Sequence, residues 1–193
     1  MLPHRTAAVA CLGCVLALTM ASGVVAAPDP GTGTTAIASD GDRPSPTVAL
    51  VRGKQSGETH DAALVRLPID PPLRVGISDL DHHWQFELGR WHSGISRSVG
   101  HVATAWHVSW QPRQSATLRP YVEAALGLAA FDHTQVGARR LGSHVHFTEQ
   151  LGADLQLGRQ WRIGWRYAHY SNAGLRSPND GVDMHSLMVQ WRP

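Results

Sequence analysis

The sequence predicts an all-β chain, an eight-stranded antiparallel transmembrane β-barrel of the outer-membrane type. Three observations predict it. From residue 47 onward apolar residues recur with period two in short runs broken by turn residues, and helical periodicity is not evident. The runs number eight, the even count of an up-and-down barrel. The face opposite the apolar one repeatedly carries charged residues: Glu87, Glu123, Asp154, Arg162 and Arg166. Such groups can pair inside a small lumen while the apolar face turns to lipid. A soluble sandwich also alternates, but it buries its apolar face in a shared core.

The chain opens on MLPHRTAAVACLGCVLALTMASGVVAA, with an early arginine, an apolar run and then small residues. This reads as a secretory signal peptide over residues 1–27, cleaved after Ala27. Both cysteines, Cys11 and Cys14, lie inside it, so no disulfide can hold the mature chain. Residues 28–46, rich in Pro, Gly, Thr and Asp, read as a disordered lead, which leaves 47–193 as one barrel domain.

Residues 47–54 and 58–69 supply the first two strands, with weaker alternation than the rest. In the third run Trp84, Phe86 and Leu88 oppose Gln85, Glu87 and Gly89. The fourth is the clearest: Val102, Thr104, Trp106, Val108 and Trp110 alternate with His101, Ala103, Ala105, His107 and Ser109. Val122, Ala124, Leu126, Leu128 and Ala130 mark the fifth. Phe147, Leu151, Ala153 and Leu155 mark the sixth, where Glu149 breaks the apolar parity. Ile163, Trp165 and Tyr167 mark the seventh; Leu187, Val189 and Trp191 mark the eighth. With strands alternating in direction from a periplasmic start, Trp84, Trp110, Trp161 and Trp191 fall at the periplasmic rim on the outward face, as an aromatic girdle would. The short LGRQ connection is then periplasmic, and the longer stretches near 132–142 and 172–182 are extracellular.

One of those outer stretches carries chemistry. In AHYSNAGLRSPNDGVDMHSL, outward parity carried up from Tyr167 reaches His169 and Ser171, and carried up from Leu187 it reaches Asp183. Polar groups against hydrocarbon are costly unless paired. Residues two apart on a strand lie roughly 6.5–7 Å apart, so a histidine ring can lean toward a serine hydroxyl. A hairpin pairing 169 with 183 places the acid across from the histidine, which is the logic of nucleophile, base and orienting acid. Asn172, Asn179 and the amides near Gly174 could supply oxyanion donors. The competing reading is ordinary turn chemistry, because SNAG and PNDG both favour positive φ.

The combination HYSNAG, then PNDG, then an acid two residues on, resembles the PagL family of outer-membrane lipid A 3-O-deacylases. The likeness extends back through RPYVEAALGLAAF and LGSHVHFTEQLGADLQLG. The resemblance implies an eight-stranded barrel with its active site on the outer wall, facing the outer leaflet of the bacterial outer membrane. It implies His169 as general base, Ser171 as nucleophile, Asn172 as a residue supporting activity, and Asn179 with the amide around Gly174 as oxyanion-hole candidates. The family's acid is typically glutamate, whereas this chain has Asp183; Asp180, in the loop, is the lesser substitute.

The expected activity is therefore hydrolysis of the ester-linked 3-hydroxyacyl chain at position 3 of lipid A, with lipopolysaccharide as substrate and with no metal or cofactor. A charge this close to neutral, +2 over the whole sequence, does not suggest a nucleic-acid partner. His82 and His83 are adjacent and point to opposite faces, and His101 and His107 are too far apart to share an ion, so the histidines read as lumen or loop residues. Arg139, Arg140 and Arg176 could meet lipid A phosphates, although solvated loop charge is the simpler reading. A non-enzymatic structural or adhesive barrel, a phospholipase on the same scaffold and a soluble periplasmic β-domain stay open as rivals, as does a homodimer.

Overall fold

The computed structural model describes residues 45–55, 57–69, 80–93, 97–112 and 117–193. The expected signal peptide 1–27 and all but the last two residues of the expected lead lie outside them. Among the described residues ten strands run in order: β1 (Thr47–Gln55), β2 (Glu58–Ile69), β3 (Leu80–Ser93), β4 (Val99–Trp110), β5 (Leu118–Phe131), β6 (Gln135–Val136), β7 (Arg139–Arg140), β8 (Val145–Leu157), β9 (Trp161–Ser171) and β10 (Val182–Trp191). Eight of them close into a barrel in the order β1-β10-β9-β8-β5-β4-β3-β2, while β6 and β7 form a separate two-stranded ribbon between β5 and β8. Every pairing is antiparallel, and Val48↔Trp191 belongs to the β1–β10 seam that closes the barrel. Closure gives each described barrel strand a partner on both sides, as a structure in lipid requires.

The parity of the sequence becomes two faces. Leu50, Leu88, Leu126, Leu151, Phe147 and Leu187 are exposed on the outside. Six of the seven tryptophans also point outward; Trp91 alone is buried, donating its Nε1–H to His101 Nδ1 at 3.0 Å. Trp161 and Trp191 are direct cross-strand partners. Strand β3 differs from expectation in its start, Leu80 rather than Trp84. Trp84 pairs with Trp106 within β4 on one side and with Ile69, the last residue of β2, on the other. The polar run Asp81–His83 hid that first turn of strand, because it offers no apolar alternation to read.

Inside, the charges pair. Arg66 bridges Glu87 (3.1 Å), Glu123 (3.2 Å) and the Gln190 side-chain oxygen (2.9 Å). Arg166 meets Glu123 and lies 3.6 Å from Asp154. Tyr121 donates to Glu123 at 2.9 Å, and His101 sits 2.9 Å from Glu87. Arg162 lies over the Tyr121 ring at 3.4 Å and donates to Gln156. The expected lumen set is thus organised around Arg66, which sequence reading passed over in one of the weaker runs. His82 and His83 do take opposite faces: His82 is covered by Trp106, and His83 stacks on His107.

Candidate active site

The site lies where β9 and β10 leave the barrel wall. Register pairs Asp183 with His169 directly, and residue parity turns both side chains outward together with Ser171. His169 Nδ1 stands 2.7 Å from Asp183 Oδ1. A carboxylate can only accept, so Nδ1 carries the proton and Nε2 is the nitrogen left to receive one. The shorter acid therefore reaches the histidine, because a direct cross-strand pair brings the two Cβ atoms to about 5 Å. Ser171 follows on the same face, two residues on from His169, opposite Phe147 of β8. Among the described residues no hydrogen bond joins the Ser171 hydroxyl to His169; such bonds are often long before substrate is bound.

Two outward groups beside this trio were missed or left aside. Tyr167 donates its hydroxyl to the same Asp183 Oδ1, also at 2.7 Å. Its sequence signal was only its parity, two residues before His169, and an aromatic on that face reads as girdle. Glu149, the exception on β8, is the register partner of His169 on the side away from Asp183.

The loop 172–181 is built around Asn172, whose side chain is buried although the residues after it are exposed. Its Nδ2 donates to the carbonyls of Leu141 and Arg176, each at 2.9 Å, and its Oδ1 accepts from Gly174 N–H at 3.0 Å. Its own N–H donates to Asn179 Oδ1 at 3.2 Å. The side chain thereby ties the end of β9 to the β6–β7 ribbon. Gly174 N–H is engaged within the loop, whereas Asn179 uses only its oxygen in these bonds.

Asp180 is equally occupied. Its Oδ2 accepts from Arg140 N–H at 2.9 Å, its N–H donates to the Arg140 carbonyl, and its carbonyl accepts from Arg139 at 3.3 Å. It is directed at the ribbon and not at His169. Gly142 makes the close approach possible: its φ is +67°, and a Cβ there would strike the Pro178 carbonyl. Gly181, at φ +63°, turns the chain into β10 with His169 Cε1 at 3.4 Å from where a Cβ would stand.

A closed antiparallel barrel with an apolar outer wall and a charged interior defines an outer-membrane type of β-barrel protein, here with a polar cluster on its outer face. Residues 78–192 match the family described as Lipid A 3-O-deacylase (PagL). The chain belongs to that family. It is 35% identical over 130 residues to the lipid A deacylase PagL of Pseudomonas aeruginosa, across 61% of this chain and 75% of that protein. It is 40% identical over 110 residues to the lipid A deacylase PagL of Bordetella bronchiseptica, across 55% of this chain and 60% of that protein. The crystal structure of the outer membrane enzyme PagL superposes with a TM-score of 0.63 at 27% identity, covering 75% of this chain and 97% of that one.

Proposed function

We propose that the protein is a serine esterase of the outer leaflet that removes the ester-linked 3-hydroxyacyl chain at position 3 of lipid A. The observation that carries this reading is the His169–Asp183 hydrogen bond on the lipid-facing wall, with Ser171 next on the same face. Such a pair has little reason to stand against lipid unless its substrate is there. The site shares its end of the barrel with the ribbon and the loop 172–181. The turn 158–160 and the Trp161–Trp191 pair mark the other end, which supports an outer-leaflet orientation.

In this mechanism Ser171 Oγ attacks the ester carbonyl while His169 Nε2 takes its proton, and Asp183 stabilises the imidazolium that forms. The tetrahedral intermediate collapses, His169 returns the proton to the departing sugar oxygen, and an acyl-serine remains. Water, deprotonated by His169, then releases the fatty acid. Asn179 Nδ2 and the loop amides are the oxyanion donors. Asn172 and Gly174, bound to each other, hold the loop that presents them. Arg139 and Arg140 brace that loop through Asp180, which favours a structural role for them over phosphate binding.

The test is incubation of detergent-solubilised protein with purified lipopolysaccharide. Mass spectra should show loss of one hydroxyacyl chain, and Ser171→Ala should abolish it. An unchanged spectrum overturns the esterase in favour of a structural barrel. Release of fatty acid from phospholipid vesicles alone would make it a phospholipase.

A further inference from the structure

We propose that Tyr167 is a positioning residue of this esterase, whose hydroxyl fixes the Asp183 carboxylate in line with His169. The proposal rests on the esterase reading above. Asp183 Oδ1 receives two donors, Tyr167 Oη and His169 Nδ1, each at 2.7 Å. They come from consecutive outward positions of β9, and Asp183 faces them from β10.

A carboxylate on this wall has hydrocarbon on one side and protein on the other, so its charge is stabilised chiefly by the donors the wall supplies. A single donor would leave an exposed aspartate free to rotate away from the imidazole. Two donors on one oxygen hold that oxygen at the point where Nδ1 needs it. The tyrosine is itself held: its ring lies against His185 with centroids 5.0 Å apart, and His185 stacks on Trp165 at 5.9 Å. A row of outward side chains therefore runs Trp165, His185, Tyr167, Asp183, His169. The short acid is what places the carboxylate close enough to the wall for Tyr167 to reach. A glutamate is one methylene longer, so it would not keep this same placement of one carboxylate oxygen between Tyr167 and His169.

Tyr167→Phe tests this, since it removes the hydroxyl and keeps the ring against His185. Deacylation of purified lipopolysaccharide should fall roughly tenfold in kcat with KM unchanged, the scale of one hydrogen bond to a charged group. Because the tyrosine acts through Asp183, the same change should add nothing in an Asp183→Ala background and less than about threefold in an Asp183→Glu background. Full activity in Tyr167→Phe overturns the proposal, as does an equal loss in the Asp183→Ala background, which would mark a general packing effect. A parent protein without deacylase activity overturns the esterase reading itself, an outcome distinct from an active parent indifferent to Tyr167.

Discussion

Asp183 is a residue at which two expectations compete. Resemblance leads to glutamate, and one methylene fewer would leave a gap were the acid offset along the strand. Direct register closes that gap, with Nδ1 at 2.7 Å. In the proposed mechanism, Asp183→Asn keeps the shape and loses the charge that would orient and stabilise the imidazolium. Its kcat should fall on the order of 10³- to 10⁴-fold, read as the initial rate of hydroxyacyl loss from lipopolysaccharide. A loss of tenfold or less would show that another group, with Glu149 the nearest outward carboxylate by register, orients His169. Asn172 presents a different case. Its amide serves three main-chain groups, and Asn172→Ala leaves all three to find other partners. The loop should loosen by about 1–3 kcal/mol. Amide exchange should quicken over residues 173–181 while the barrel strands keep their protection.

The β6–β7 ribbon and the loop 172–181 behave as one unit, because Arg140 and Asp180 exchange main-chain and side-chain bonds and Gly142 passes beneath Pro178. Gly142→Val forces a β-branched residue into positive φ and into a carbonyl. It should push the ribbon off the loop and lower deacylation at least tenfold while leaving barrel assembly intact, checked by migration of unheated protein in detergent gels. None of this coupling was legible in the sequence. The strands were, because a half-exposed strand writes its two faces in alternate letters. Strand β10 shows apolar alternation only from Leu187 to its end at Trp191, since Asp183 and His185 replace apolar residues at its outer end. A ribbon of two-residue strands has no period to detect. The bond from Asn172 to Leu141 spans thirty-one residues and depends on where two loops meet. Ser171, His169 and Asp183 could be placed on one face because parity carries along a strand. Tyr167 obeys the same parity, but its hydroxyl bond depends on which oxygen faces it.

The barrel inverts the usual relation between polarity and burial, and that inversion can be measured. Arg66 is nearly sealed from solvent and serves Glu87 and Glu123 at once. Arg66→Met would leave the remaining charges without their hub. Breaking a buried pair from one side costs about 3–5 kcal/mol, so unfolding in urea from lipid vesicles should shift to lower denaturant by a corresponding amount. Leu126 is the opposite case, 59% exposed and in the middle of β5 on the outer wall. On a soluble domain, Leu→Arg at so exposed a position would change stability by no more than about 0.5 kcal/mol. On a lipid-facing wall it should cost about 2–4 kcal/mol near the bilayer midplane. The two variants read opposite faces of the same wall and must both destabilise if the apolar face meets lipid and the charged face lines the lumen. A tolerated Leu126→Arg would mean that water, and not hydrocarbon, covers the outer face. The reason for an esterase site on that face would then disappear with it.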